Sequence, residues 1–192
     1  IIKIFENKKF CDMKEQKKNP WISIWSEPRA TMRHIIKTKN TTDKSMMLYC
    51  MAAFFIWMGR AFYKGMGEDF SFGGVIFLLL FTSLILAPLG FMIMSAFIHM
   101  TGRWLGGKAS QKKVELYLGW SKIPHFWLAL FWVLFFGILG TDLFVGHWTQ
   151  TLPSSTLYIM GGGIILERGF SLWAFIIKIQ CLSEIQKFSL TI

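Results

Sequence analysis

Long runs of apolar residues, separated by charged loops, constrain this chain more than any other feature. The clearest run, from 72 to 100, contains no Asp, Glu, Lys or Arg. A soluble domain needs polar side chains along each element, whereas a helix that crosses a bilayer needs about 20 mainly apolar residues. Backbone groups in hydrocarbon must be paired within their own segment, so open strands are disfavoured. We therefore predict an all-α fold, a polytopic transmembrane helix bundle.

The runs divide the chain into a polar segment, 1–44, and a transmembrane domain, 45–192. Pro88 and Gly90 lie inside the second run and predict a bend there. The stretch before the last run is interrupted by three glycines and by Glu167-Arg168, which predicts a re-entrant or interfacial piece. The apolar end of the chain predicts a fifth span that would follow Ile192. The four visible spans are predicted at about 45–62, 72–100, 124–145 and 169–185.

Positive charge is concentrated ahead of the first run. Eleven of the 21 Lys and Arg residues precede Met46, and the formal net charge is +10. No zinc-finger, RNP-like or basic-zipper pattern accompanies them, so we predict no nucleic-acid partner. Loops rich in Lys and Arg stay on the cytoplasmic side. The N-terminus and the loop 101–122 are therefore predicted to be cytoplasmic, facing anionic lipid headgroups.

An N-terminal amphipathic helix is predicted at about 20–39. Two tryptophans lie at its start, and its basic and apolar residues fall on different faces. Such a helix either lies in the membrane interface or packs on the protein's own cytoplasmic loops. The tryptophans are Trp21 and Trp25, the basic residues are Arg29, Arg33 and Lys37, and the apolar residues are Met32, Ile35 and Ile36.

Motifs for catalysis or for metal and cofactor binding are weak. Residues 102–108 have the spacing GxxxxGK, but Ala109 replaces the hydroxyl residue of a phosphate-binding loop and an apolar run precedes it. The four histidines show no metal-ligand spacing, and the three cysteines are far apart. We therefore predict a non-enzymatic protein without a cofactor or metal ion.

Four ionisable residues lie in or near the predicted spans, and we take them as a candidate intramembrane polar site. Such residues are costly in hydrocarbon and often functional. The alternative is that they extend to the nearest interface, and for Arg60 and His125 the interface is also the simpler interpretation. The four residues are Asp142, Glu167, Lys178 and Glu184.

The order of these pieces resembles the Yip (Ypt-interacting protein) domain family of polytopic membrane proteins. The resemblance rests on NPWISIWSEPRATMRHII near the N-terminus, on the glycine-rich loop followed by Trp120-Ser121-Lys122-Ile123-Pro124, and on LSEIQKFS. It implies five spans and a cytoplasmic N-terminus, and the N-terminal motif is more similar to the prokaryotic branch. Eukaryotic relatives bind prenylated Rab GTPases through an N-terminal region that this chain does not match. The resemblance therefore implies the fold more than an activity.

Two hypotheses of function follow. The first is a membrane scaffold or adaptor whose basic face binds lipid, a protein partner or another copy of the chain. The second is a transporter or flippase for a small molecule, ion or lipid, based on the intramembrane charges and the interrupted glycine stretch. The candidate partner face comprises Trp21, Trp25, Arg29, Arg33, Lys37, Arg103 and Lys108.

Overall fold

The computed structural model describes residues 19–38, 42–140, 144 and 154–187, and these form helices without a strand. The helices are α1 (Pro20–Ser26), α2 (Pro28–Lys37), α3 (Thr42–Lys64), α4 (Phe72–Phe81), α5 (Ala87–Trp104), α6 (Gln111–Trp120), α7 (Ile123–Leu139) and α8 (Ser154–Gln186). A π-helical turn, Thr82–Leu86, joins α4 to α5. The all-α bundle predicted from the sequence is confirmed.

Three stretches are long and apolar enough to cross a membrane, judged by length and composition. They are Asp43–Lys64, Phe72–Trp104 and Gln111–Leu139, and they contain or overlap the first three predicted spans. The outer faces suit lipid, since side chains such as Leu84 and Ile93 are each 68% exposed. The fourth predicted span, 169–185, falls within α8, which is not among the three stretches, so the count of four spans stays a prediction, as does the fifth.

The glycine stretch before the fourth predicted span is helical, so no break in the helix marks the predicted re-entrant or interfacial piece, whose place relative to the membrane stays a prediction. Helix α8 runs without interruption through Gly161, Gly162 and Gly163. Glycine lowers helix propensity by about 1 kcal/mol but, unlike proline, removes no hydrogen bond. At Gly163 the small residue has a packing role, because an added Cβ would lie 2.8 Å from Phe135 Cζ.

The N-terminal segment forms two helices because Pro28 interrupts it. Asn19 caps α1, accepting a hydrogen bond from the Trp21 amide at 3.1 Å. The residue before a proline is pushed out of the helical conformation, and Glu27 accordingly has φ −133° and ψ 63°. A hydrogen bond of 2.9 Å from the Thr31 hydroxyl to Ser23 Oγ ties the two helices together.

Helix α2 packs on the protein itself, as the second of the two sequence alternatives proposed. Met32 and Ile35 are fully buried, and the Arg33 guanidinium forms a 3.1 Å ion pair with Glu184 at the end of α8. These apolar residues join a core that also includes Val114 of α6 and Ile177 of α8. A second core, around Phe62 and Trp132, lies further along the bundle.

The bundle has two ends. We call proximal the end at which the Lys108 amide donates to the Gln186 carbonyl at 3.2 Å. We call distal the end at which the Gly67 amide donates to the Phe144 carbonyl at 2.8 Å.

The irregular turn in the second span lies just before Pro88. Proline has no amide hydrogen for the preceding turn of helix, so the normal hydrogen-bond ladder cannot continue through it. A π-helical turn at Thr82–Leu86 accommodates this defect, with the Thr82 hydroxyl donating to the Leu78 carbonyl at 2.9 Å. This π-helical turn lies slightly before Pro88 and Gly90, where the sequence predicts a bend; the bend itself stays a prediction.

The glycine-rich loop after α5 packs around the side chain of Gln186. The Ala109 amide donates to Gln186 Oε1 at 3.3 Å. A Cβ at Gly102 would lie 2.7 Å from the Gln186 amide carbon, and a Cβ at Gly107 would lie 2.8 Å from the same atom. The glycines of the GxxxxGK spacing therefore make room for Gln186, which fixes the end of α8 at the proximal end.

Candidate functional site

A polar cavity of about 400 Å³ lies between α3, α7 and α8. Each helix contributes one stripe of side chains at helical spacing, and the turn before α7 adds one lysine. The lining residues are Phe55, Ile56, Gly59, Arg60, Tyr63, Lys122, His125, Leu128, Trp132, Glu167, Arg168, Ser171 and Lys178.

The proximal part of the cavity contains two lysines and a histidine. Lys178 Nζ lies 3.5 Å from His125 Nε2. Lys122 Nζ lies over the Tyr49 ring, 5.0 Å from its centroid. The Lys122 carbonyl accepts from the His125 amide at 2.9 Å, which fixes the turn from which α7 begins. In the part of the chain that the structure describes, no carboxylate lies within ion-pair distance of Lys122 or Lys178.

The distal part of the cavity is a cluster of tyrosine, carboxylate and guanidinium groups. The Tyr63 hydroxyl donates to Glu167 Oε2 at 2.5 Å. The Arg168 guanidinium lies 4.8 Å from the centroid of the Tyr63 ring, with its Nε 4.0 Å from the same carboxylate oxygen. Arg60 lies over the Trp57 ring at 4.7 Å. These contacts connect α3 to α8 near the distal end.

The lining carries an excess of positive charge. Among the described lining residues, four are Lys or Arg and one, Glu167, is acidic. Arg60 and Arg168 are exposed, whereas Lys122 and Lys178 are partly buried, so the two lysines contribute most to favouring an anionic occupant.

The two charged parts are well separated along the bundle. Glu167 and Lys178 lie on the same helix eleven residues apart, which corresponds to roughly 16 Å at 1.5 Å per residue. A bilayer core is about 30 Å thick. The polar residues that line the cavity therefore extend over about half the thickness of the hydrocarbon core.

The structure brings together only part of the intramembrane polar site predicted from the sequence. Glu167 and Lys178 line the cavity. Glu184 instead pairs with Arg33, and Asp142 lies outside the described residues.

Sequence reasoning missed five polar residues of the cavity. Arg60 and His125 were interpreted as interfacial, and Lys122 as part of a solvated loop. Tyr63 and Ser171 had no assigned role at the site, whereas Arg168 was already one of the charges behind the transport hypothesis. The only available signal was the helical spacing of Gly59, Arg60 and Tyr63, and that spacing does not reveal which helix the stripe faces. The five residues are Arg60, Tyr63, Lys122, His125 and Ser171.

Several residues of the predicted partner face contact the protein itself. Trp21 packs edge-on against Phe126 with ring centroids 5.4 Å apart, and Trp25 packs in the same way against Phe170 at 5.6 Å. Arg33 is in the ion pair with Glu184.

The remaining members of this face are more accessible. Arg29 is half-buried, Lys37 is exposed, and Arg103 and Lys108 are exposed around a loop in which the Trp104 side chain is 78% exposed.

The described residues contain no group of three His, Cys, Asp or Glu side chains that could hold a metal ion. Among the described residues that line the cavity, no hydrogen bonds connect a nucleophile to a base that a third group orients, the arrangement that hydrolytic sites use. What the arrangement can do is bind an anion, because its polar groups are mainly cations and hydrogen-bond donors.

Comparison with known proteins gives one match. The model of the Yip1 domain family matches residues 22–191. No curated protein and no solved structure matches the chain. The match covers the cavity-forming helices and agrees with the resemblance seen in the sequence motifs.

Proposed function

Because this chain belongs to the Yip1 domain family of membrane proteins, and because a cavity in its bundle is lined by more cationic than acidic side chains, we propose that it is a non-enzymatic transporter of an anionic substrate. The substrate would bind between α3, α7 and α8 and pass between the proximal and distal parts of the cavity. The excess of four cationic side chains over one carboxylate is the observation that carries this proposal.

The charge distribution supports transport of anions rather than cations. Basic side chains that line a pathway favour anions, as they do in anion-selective pores. Here basic groups lie at both ends of the cavity, Lys122 and Lys178 proximally and Arg60 and Arg168 distally. An anion would therefore meet a favourable potential at each end.

The proposed orientation places the proximal end in the cytoplasm. The segments at the proximal end carry Lys37, Arg103 and Lys108. The positive-inside rule assigns segments rich in Lys and Arg to the cytoplasmic side. Anionic headgroups of that leaflet are the expected lipid partners.

A scaffold with a basic partner face is the second candidate. The observation in its favour is the exposed loop in which Trp104 and Leu105, 78% and 74% exposed, stand between Arg103 and Lys108. The proposal has less support than transport, because Trp21, Trp25 and Arg33 of the same face are engaged with α7 and α8. Loss of partner or oligomer capture on replacing Arg103 and Lys108 by Gln would favour it.

The test of transport is anion flux in proteoliposomes made with the purified full chain. Chloride, phosphate and short carboxylates are loaded in turn, and a fluorescently labelled acidic phospholipid is followed separately. Lys178→Gln removes one cavity charge, and Lys112→Gln, an exposed lysine outside the cavity, is the matched control. We expect flux for at least one anion in the wild type and the control, and a reduction of tenfold or more in Lys178→Gln.

Two results would contradict the transport proposal. One is the absence of flux for every anion and lipid tested. The other is equal flux in the wild type and in a Lys122→Gln/Lys178→Gln double variant, which removes both proximal lysines.

A further inference from the structure

The proximal part of the cavity has the chemistry of a site for a tetrahedral oxyanion. An ammonium group only donates hydrogen bonds, so the 3.5 Å contact between Lys178 and His125 requires Nε2 of the ring to accept. The hydrogen of the neutral ring is then on Nδ1. Nδ1 is buried and has no hydrogen-bond partner among the described residues.

Three donors at this position therefore lack an anionic partner. They are the ammonium groups of Lys122 and Lys178 and the Nδ1 hydrogen of His125, named here the proximal donor set. Lys178 has only the neutral His125 ring as a partner, Lys122 has only the Tyr49 ring, and the Nδ1 hydrogen has no partner among the described residues, so a bound anionic acceptor would stabilise the arrangement. This argument does not depend on the distal cluster, where Glu167 already has Tyr63 and Arg168 as partners.

The proximal donor set contains two point-like ammonium groups and no arginine. The planar fork of arginine matches carboxylate and phosphate alike, whereas lysine binds phosphate as a point charge. Separate point-like donors on α7, on α8 and on the turn between α6 and α7 suit an anion with oxygens in several directions, as in a phosphate group.

Apolar side chains lie beside these donors in the same cavity. Phe55 and Ile56 of α3 and Leu128 and Trp132 of α7 complete its lining. A ligand that fills the cavity therefore has a charged group and an apolar part. A phosphate ester with a carbon-rich body has both.

We propose that the proximal donor set binds the phosphate group of a phosphate ester, and that this ester is the substrate class of the transporter proposed above. The inference rests on the proposed transport function only in calling this ester a substrate, since binding of the ester can be measured without flux. The shared chemistry is the phosphate ester, which a phospholipid headgroup or a small soluble metabolite could supply.

The experiment measures binding to the full chain in detergent, after delipidation, by native mass spectrometry. The probes are dioleoyl phosphatidic acid, dioleoylglycerol, which is the same lipid without phosphate, and glycerol 3-phosphate, the corresponding soluble ester. Variants are Lys178→Gln and His125→Phe, with Lys112→Gln as the matched control. Thermal unfolding of each variant shows whether it is folded.

We expect a phosphate-bearing probe to bind and dioleoylglycerol to bind at least tenfold more weakly. Lys178→Gln is expected to weaken binding about tenfold or more, since a hydrogen bond to a charged group is lost. His125→Phe should weaken it less, and the control should bind like the wild type. If phosphatidic acid binds and glycerol 3-phosphate does not, the source is a lipid headgroup; comparable binding of both indicates a soluble ester.

Equal binding of phosphatidic acid and dioleoylglycerol would overturn the inference, and so would unchanged binding in a folded Lys122→Gln/Lys178→Gln variant. Failure of the inference and failure of the transport proposal have different signatures. Phosphate-ester binding without flux contradicts transport alone. Lysine-dependent flux of chloride or acetate without phosphate-ester binding contradicts the inference alone.

Discussion

Replacing Gly119 by alanine should destabilise the fold, because the backbones of α3 and α6 are in close contact at this position. Gly119 is buried, and an added Cβ would lie 2.6 Å from the Ser45 carbonyl carbon and closer still to the carbonyl oxygen. Carbon atoms in favourable contact are about 3.5–4.0 Å apart. The two helices must therefore separate by roughly 1 Å, since the obstacle is backbone and cannot rotate away.

The expected cost can be estimated from studies of overpacked cores. Added methyl groups in a well-packed interior cost about 1–3 kcal/mol, and a backbone obstacle favours the upper part of this range. For a chain of this size each kcal/mol lowers Tm by about 2–4 °C. We expect Gly119→Ala to lower Tm by roughly 4–12 °C, measured by intrinsic tryptophan fluorescence in detergent.

The control for this prediction is Gly137→Ala in α7. No atom lies within 4 Å of a Cβ at that position, so alanine should keep Tm unchanged or raise it, given its higher helix propensity. A Gly119→Ala protein with a Tm equal to or above that of the wild type would refute the proposed helix crossing.

Two further predictions concern the proximal end. A double-mutant cycle on Arg33→Gln and Glu184→Gln should give a coupling of only about 0.2–1 kcal/mol, because the Arg33 side chain is 56% exposed; a coupling above about 2 kcal/mol would show that the pair is more buried than described. Gln186→Ala should lower the free energy of unfolding by about 1–3 kcal/mol, since the buried Ala109 amide loses its acceptor; an unchanged Tm would contradict the role given to the glycine-rich loop.

The sequence predicted the elements of this fold better than their arrangement. The apolar runs predicted the helices, and Pro28 predicted the start of one of them. Both signals act within a few residues of the chain. The glycine stretch at 161–163 was misleading, since glycine permits a break without requiring one. Packing of α2 on the protein's own cytoplasmic loops was one of two open alternatives, and its contact with α8 was not foreseen, because amphipathicity defines an apolar face but not its partner.

The cavity could be predicted only in part for the same reason. Glu167 and Lys178 stood out as charges in an apolar setting. Their neighbours Tyr63 and His125 come from other helices, and Tyr63 is 104 residues away from the carboxylate to which it donates. Pairing over that distance depends on how the helices rotate against one another, which a single sequence does not specify.

The structure of the protein in a lipid nanodisc, with the proximal donor set resolved, tests the central claim most directly. A cavity open between α3, α7 and α8, with density for an anionic group within hydrogen-bond distance of Lys178 Nζ, is the result that the account predicts. A dry, closed bundle in which Lys178 extends away from His125 towards the lipid headgroups would contradict it.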